Sequence, residues 1–326
     1  MLPSVSIIIA ARPGQTDIKA VEAARRLTYP PDRLEIIVAR GKQPSVQRNT
    51  AIRSAKGELI YFLDDDSVPP PGNLRRAVEL FRDPTIKMIG GPNLCPPDAP
   101  ALEKVFAVVL ASWIAFGPSR ARYASVGKTR ASGEKELILC NLLARRDAVL
   151  EQGGFNEALY PNEENALMDE LQKSGGQLIY DPQLFVYRRP RNSLAAFAKM
   201  LRTYGRGRAE QFRLHPTFGS APNFVPPLFC LYLIALIAFA LTPVSESVAP
   251  WKMWCAAPLA VYAFVILLQT LASVPTHGLI RSALAMPLLI ATHVLYGFGF
   301  WRGLFTHLNT GPAEVRPRIE VVLERV

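Results

Sequence analysis

Cysteine is scarce in this chain of 326 residues. The four present, Cys95, Cys140, Cys230 and Cys255, lie far apart with no C-x-x-C pair. That scatter argues against a zinc site or a disulfide framework and fits a reducing compartment. No basic region precedes "VSIIIAA" (5–11) and no small-residue cleavage site follows it, so the stretch reads as a strand and not as a signal peptide. The domain it begins is therefore expected to stay in the cytoplasm. Internal repeats and low-complexity tracts are absent. Acidic residues are in the minority: 27 Asp and Glu against 37 Lys and Arg leave a net charge of +10. This balance points to anionic partners, namely nucleotides, acidic lipids or nucleic acid. Nucleic acid is set aside because no aromatic stacking platform accompanies the basic residues.

Charge is missing altogether from "FVPPLFCLYLIALIAFAL" (224–241) and from "MWCAAPLAVYAFVILLQTLASV" (253–274). A third run, "SALAMPLLIATHVLYGFGFW" (282–301), carries only a histidine. Each approaches the ~20 residues that span a bilayer. The expectation is a membrane domain over 221–303, with segments near 224–243, 253–274 and 282–301, in a multi-pass protein of the cell inner membrane. Pro287, His293 and two glycines leave the third run open to re-entry or an interfacial position. The loop 242–250 has no Lys or Arg, whereas Arg-rich sequence precedes the first run and Arg281 precedes the third. By the positive-inside bias the N-terminal domain lies inside. Three full spans would then put the polar tail 304–326 outside, against the preference of Arg302, Arg316 and Arg318. Just before the membrane domain, "SLAAFAKMLRTYGRGRAEQFRLH" (193–215) places Leu194, Phe197, Leu201 and Tyr204 at helical spacing among Lys199, Arg202, Arg206, Arg208 and Arg213. It reads as a helix on an anionic membrane surface or as an ordinary amphipathic linker.

Residues 1–220 alternate two kinds of signal. "VSIIIAA" (5–11), "LEIIVA" (34–39), "ELIYFL" (58–63) and "IKMIGG" (86–91) are short β-branched runs suited to buried strands. Helix patterns lie between them. One is capped by Asp17 with Val21, Ala24 and Leu27 on one face; another runs from Ser45 to Gly57 with Lys56 in its last turn; a third follows "PPPGN" to about Phe81. The alternation predicts an α/β domain, Rossmann-like, with a mostly parallel sheet flanked by helices and its ligand at the carboxyl ends of the strands. "ALEKVFAVVLASWIAFG" (101–117) reads as a core helix or as a helix touching the bilayer.

Three carboxylates, Asp64, Asp65 and Asp66, follow the third strand. Such a cluster can offer oxygen ligands to Mg²⁺ or Mn²⁺, which in turn bridge phosphates, or it can be an acidic turn before prolines. Pro44 and Ser45 open a helix whose N-terminus favours anions, with Lys42 and Arg48 at hand for a diphosphate. In "YPNEENALMDELQKSGG" (160–176), Glu163 and Glu164 sit at a helix start, as caps or as a general base facing a cleft.

Together, "SVSIIIAAR", "EIIVARG", "PSVQRNTAIRSAKGELIYFLDDDSVPPPG" and "GGFNEALYPNEENALMDELQKSGGQLIYDPQLFVYRRPR" resemble the inverting glycosyltransferases of family 2, over residues 4–215, roughly two-thirds of the chain. The resemblance implies a GT-A fold, a nucleotide-sugar donor and a divalent cation (Mg²⁺ or Mn²⁺). It puts the D-x-D motif on Asp64-Asp65-Asp66, with Asp66 and Asp64 toward the metal and Asp64 and Asp65 toward the donor. It puts the catalytic carboxylate on Glu164, preceded by Glu163, in a motif that begins at Asn162. The "ARN" element falls on Gln47-Arg48-Asn49. Donor contacts are expected at the strand ends from Ala11, Arg12, Arg40, Gly41 and Arg48. Phosphate or acceptor contacts are expected from Asn141, Arg188, Arg206 and Arg208. The sequence departs from the family pattern where Arg12-Pro13-Gly14 and Ala39-Arg40-Gly41 replace acidic residues near the nucleoside. It departs again where Arg188 and Arg189 stand in place of a late metal-binding histidine, and the Q-x-x-R-W motif of processive synthases is absent.

The expected activity is transfer of one sugar to a lipid-linked or surface-glycan acceptor, as in exopolysaccharide or O-antigen biosynthesis. Transfer to polyprenyl phosphate and a non-catalytic membrane scaffold are the alternatives. Membrane lipids are expected partners, and the sequence leaves the oligomeric state open.

Overall fold

The β-branched runs form the strands of a mixed sheet in a computed structural model that describes residues 2–157, 163–214, 216, 218–243, 249–306 and 321–325. Along the chain the elements are β1 (Val5–Ala11), α1 (Lys19–Arg25), β2 (Leu34–Arg40), α2 (Pro44–Ser54), β3 (Leu59–Asp64), α3 (Asn73–Leu80), β4 (Ile86–Gly90) and β5 (Asn93–Leu94). Then come α4 (Ala101–Leu110), α5 (Trp113–Phe116), β6 (Arg130–Ala131), β7 (Asn141–Arg145), α6 (Arg146–Glu151), α7 (Glu163–Lys173), β8 (Gln177–Tyr180) and β9 (Val186–Tyr187). The chain continues through α8 (Leu194–Leu214), α9 (Val225–Leu241), α10 (Ala249–His277), α11 (Leu279–Phe305) and β10 (Val322–Arg325). Two compact units result, and they do not follow chain order. The first holds the chain up to Asp98, Pro118–Arg189 and β10; the second holds Ala99–Gly117 and the chain from Pro190 through α11.

In the first unit the large sheet runs β10-β2-β1-β3-β7-β4-β8-β6. β2, β1 and β3 are parallel, as are β4 and β8, while β7 lies antiparallel between β3 and β4. Side chains of a strand alternate between faces, and here both faces are covered. Ile7, Ile9, Val38 and Leu63 pack with Val21, Leu27, Leu74 and Phe81 on one side. Ile8, Ile37 and Phe62 pack with Ile52, Phe155, Leu167 and Leu171 on the other. Burial of such side chains stabilises by about 1.5–3 kcal/mol each. β3 enters the sheet beside Gly57, where a Cβ would fall 2.4 Å from the Ser6 nitrogen.

Two helix boundaries differ from expectation. Asp17 does not cap α1; the cap position is Ile18, with no side-chain bond. Instead the Ala20 N–H donates to the carbonyl of Asp65 at 3.1 Å, so the acidic turn supplies what a capping side chain would. α2 stops at Ser54 with Arg53 in its last turn, because Ala55 is already extended, which leaves Lys56 outside the helix. The C-terminal strand β10 pairs antiparallel with β2, Val322 opposite Arg40 and Arg325 opposite Ile37, and forms one edge of the sheet.

The second unit is helical. Gly219–Leu241, Met253–His277 and Leu279–Phe305 are long and apolar enough to cross a membrane, and Ala101–Leu110 with Trp113–Arg122 forms a pair bent by 61°. The first two bury only 11% of their most apolar stretch and the third 39%. α9 and α10 thus expose Leu228, Leu231, Ile237, Val261 and Phe264 where a water-soluble helix would be polar. α11 packs closely on α8 through glycines. A Cβ on Gly205 would lie 2.1 Å from the Tyr296 carbonyl oxygen, and one on Gly299 would lie 2.2 Å from that of Arg202. Phe106 of α4 stacks on Phe197 of α8 with ring centroids 4.3 Å apart, so 101–110 is a packed helix of this unit. His293, the polar residue of the third run, has both ring nitrogens engaged, with the Tyr262 hydroxyl at 2.8 Å and the Ile114 carbonyl at 3.1 Å.

Candidate active site

The parallel strands β1, β2 and β3 run in register, Ala10 beside both Ala39 and Asp64, so their carboxyl ends form one rim. Gln47 stitches this rim: its buried side-chain amide donates to the carbonyls of Ala11 at 2.8 Å and Ala39 at 2.6 Å. The Gly41 N–H also donates to the Ala11 carbonyl, at 3.1 Å. Arg40 donates to the Gln15 carbonyl at 2.6 Å and is ion-paired with Glu324 of β10 at 2.7 Å. Gln15 accepts from the N–H of the exposed Arg12 at 3.2 Å and donates to an Asp65 carboxylate oxygen at 2.5 Å. Ala11, Arg12, Arg40, Gly41 and Asp65 are therefore gathered at one end of the sheet. Gln15 and Glu324, which organise them, have no motif in the sequence that would single them out.

Asp64 and Asp66 face two guanidinium groups. Arg48 lies 3.2 Å from Asp64 Oδ1 and Arg188 lies 3.2 Å from Asp64 Oδ2. The Nε of Arg188 also donates to Asp66 Oδ1 at 2.6 Å. Burial opposes the charge of Arg188, but the carboxylates of Asp64 and Asp66 more than offset it and hold the group firmly protonated. Arg48 extends the chain of contacts to Glu163, 3.3 Å away, where both side chains are almost fully buried at 8% and 4% exposure. Glu163 starts α7 and so lies where the helix dipole favours an anion. Burial nevertheless pushes its carboxyl up to about 7; the neighbouring Glu164 charge adds to this and Arg48 counters it. Glu164 is half-buried beside it. Asn162, which begins the motif, lies outside the described residues.

The segment before α7 is anchored by Asn49. Its Nδ2 donates to the Phe155 carbonyl at 2.8 Å and its Oδ1 accepts from the Phe155 N–H at 2.8 Å. Gly154, at φ +82, comes so close that a Cβ would fall 2.5 Å from Asn49 Oδ1. Phe155 in turn packs edge-on against Phe62, 5.2 Å between centroids, and lies under the Arg48 guanidinium at 6.0 Å. Three successive side chains of α2 thus have distinct tasks: Gln47 ties strand ends, Arg48 bridges acids and Asn49 fixes the approach to α7.

Asn141 is fully buried; it accepts from the Tyr61 hydroxyl at 2.9 Å and donates to the Leu184 carbonyl at 2.6 Å, so its amide is engaged by the fold. Cys140 beside it is pushed up to about 11 by burial and is a packing thiol. Arg206 and Arg208 belong to the second unit. There Arg206 lies 3.4 Å from Glu210, one helical turn on, and Arg208 donates to Gln211 at 2.9 Å.

Asp64 and Asp66 suit a divalent cation in kind, since both present hard carboxylate oxygens and remain partly exposed, at 24% and 43%. Among the described residues no group of three or more His, Cys, Asp and Glu converges into a closed protein cage. An ion held by the aspartates would complete its shell with phosphate and water, as Mg²⁺ commonly does.

The mixed sheet, covered on both faces and carrying acids at the carboxyl ends of its parallel strands, is of the GT-A type. The family described as "Glycosyltransferase like family 2" matches residues 2–206, and the chain belongs to that family. Among characterised relatives, the Succinoglycan biosynthesis protein ExoA of Rhizobium meliloti is 25% identical over 313 residues, covering 93% of this chain and 87% of that protein. The Pre-mycofactocin glycosyltransferase of Mycobacterium tuberculosis is 24% identical over 186 residues, which cover 54% of this chain and 36% of that protein. The matched part thus spans about a third of the Mycobacterium relative. Among solved structures, the mannosyltransferase PcManGT from Pyrobaculum calidifontis, in complex with GDP-Man and Mn²⁺, superposes with a TM-score of 0.53 at 18% identity and covers 88% of each chain. That likeness supports the fold.

Proposed function

We propose that this protein is a membrane-anchored, inverting transferase that moves one sugar from a nucleotide-sugar to a lipid-linked or surface-glycan acceptor at the cytoplasmic face of the inner membrane. The observation that carries the reading is the line Asp64–Arg48–Glu163, which joins a strand-end acid pair to the acidic start of α7 through one buried arginine. Acids of this kind separate two tasks, donor binding and proton removal. Glu164, half-buried at the helix start, takes the proton from the acceptor hydroxyl. The oxygen then attacks the anomeric carbon from the face opposite the nucleotide, the bond to the diphosphate breaks and the configuration inverts. Glu163 holds Arg48, and Arg48 holds Asp64, so the acceptor and donor sides keep a fixed spacing. A divalent cation held by Asp64 and Asp66 would neutralise charge growing on the diphosphate. Ala11, Arg12, Arg40, Gly41 and Asp65 line the nucleoside end. Similarity to ExoA over nearly the whole chain favours a surface-polysaccharide acceptor. The apolar helices of the second unit keep such a lipid-borne acceptor at high local concentration.

The test is nucleotide release by the purified protein with a panel of nucleotide-sugars and Mn²⁺ or Mg²⁺. Asp66→Ala and Glu164→Gln should each lose most turnover, and full activity in either variant would sink the assignment.

A further inference from the structure

Arg188 contacts both outer aspartates of the triplet at once, Asp64 at 3.2 Å and Asp66 at 2.6 Å. It follows directly on the short strand β9, whose Tyr187 is bonded through its backbone to Val68 just past the triplet, N–H to carbonyl at 2.9 Å in each direction. The Arg188 N–H is itself tied to the Leu94 carbonyl at 3.0 Å. The backbone that carries the guanidinium is thus fixed beside the acids, while its side chain keeps 25% exposure. Arg188 and a divalent ion would draw on the same oxygens, Asp64 Oδ2 and Asp66 Oδ1. Two cationic groups sharing one pair of carboxylates compete, and a binding-competent state that is only fractionally populated weakens apparent affinity by that fraction. A diphosphate changes the balance, because a guanidinium pairs with phosphate oxygens as well as with carboxylate.

We infer that Arg188 is an exchangeable counter-ion of the Asp64–Asp66 pair: it occupies the carboxylates in the donor-free protein and moves to the donor diphosphate when nucleotide and cation bind together. This rests on the donor site proposed above. Its consequence is thermodynamic coupling. Nucleotide draws Arg188 off the aspartates and so strengthens cation binding, and by linkage the cation strengthens nucleotide binding by the same factor. Loading is then ordered by charge: cation alone binds weakly, and the pair binds well.

The experiment is a binding titration of the full-length protein in detergent, with no turnover. Free Mn²⁺ is followed by its paramagnetic resonance signal, alone and with UDP or GDP. In the wild type the nucleotide should tighten Mn²⁺ binding by about tenfold or more. In Arg188→Gln, Mn²⁺ alone should bind several-fold more tightly than in the wild type, and the factor added by the nucleotide should shrink to what its own phosphates supply to the ion. Arg188→Lys keeps the charge without the forked contact and should lie between the two; it decides the matter if the Gln variant does not fold. Wild-type coupling unchanged in these variants would overturn the exchange while leaving the donor site intact. A wild type that binds neither Mn²⁺ nor either nucleotide would overturn the donor site as well.

Discussion

The guanidinium of Arg48 lies between Asp64 and Glu163, 3.2 Å from one carboxylate and 3.3 Å from the other. Removing it leaves two acids facing each other with little water. Arg48→Met should lower stability by about 3 kcal/mol, as breaking a buried pair does. The double variant Arg48→Met/Glu163→Gln should recover part of that loss, since one stranded charge is gone. Thermal denaturation of the single and double variants measures both, and strictly additive losses would show that the pair is not coupled.

Transfer should have an acid limb near pH 7. Below it Glu163 is protonated and loosens its hold on Arg48; above it the line Asp64–Arg48–Glu163 is complete. Glu163→Gln should flatten this limb and fix the rate at its low-pH level. Stability has the opposite sign. The folded carboxyl binds its proton more tightly than the unfolded one, at about 7 against 4.5, so its contribution is present below pH 4.5 and lost as the pH rises to about 7. Rate and melting profiles of wild type and Glu163→Gln over this window check both statements.

Glu163→Gln and Glu164→Gln should differ in kind. The Glu164 variant loses the proton acceptor and should drop turnover by 10²-fold or more with donor binding kept. The Glu163 variant should also weaken donor binding, because Arg48 and Asp64 lose their support. If Glu164→Gln kept full transfer while Glu163→Gln lost it, the proton acceptor would be Glu163.

The α8–α11 contact depends on glycine. Gly205→Ala forces a methyl group toward the Tyr296 carbonyl and should cost about 1–3 kcal/mol by overpacking. Gly153→Ala, whose Cβ meets nothing within 4 Å, has only its φ of +78 to contend with and should cost less, about 1–2 kcal/mol. Melting temperatures of the two variants rank them, and equal losses would mean that α11 can move away from α8.

β2 and β10 share one sheet, so residues 40 and 322 lie on one side of any bilayer and the chain between them crosses an even number of times. The bent pair begins after Asp98, and its second helix, Trp113–Arg122, already includes Pro118, where the chain returns to the first unit, so the pair should not add a crossing. Of the three long helices two should then cross, α9 and α10, with the more buried α11 remaining against the basic helix α8. In a Cys95→Ser/Cys255→Ser background, Glu324→Cys and Arg82→Cys should both react with an impermeant maleimide from the same face. Labelling from opposite faces would refute the even count.

Much of the fold was legible because it rests on local pattern. The runs at 5–11, 34–39 and 58–63 form β1, β2 and β3 with ends shifted by a residue at most. The acid triplet and Arg48 were legible as charges needing partners; Arg48 pairs with Asp64, while Asp65 is met by Gln15 and Asp66 by Arg188. The partners of Asn141 were not, since a polar residue in a family-like motif looks the same whether its amide meets ligand or backbone. Gln15 and Glu324 were not, since each acts across a long stretch of chain, on Asp65 and on Arg40. The expected polar tail 304–326 concealed β10 because a four-residue strand among charges has no periodicity to read.

That strand also sets an order of assembly. β10 is made after α9, α10 and α11, so a growing chain places its helices while β2 still presents an unpaired edge. Such an edge invites pairing with other chains until its own partner arrives. Antiparallel closure by Val322–Arg325, with Glu324 seated on Arg40, therefore completes the rim at the carboxyl end of β2 only after the three long helices have been made.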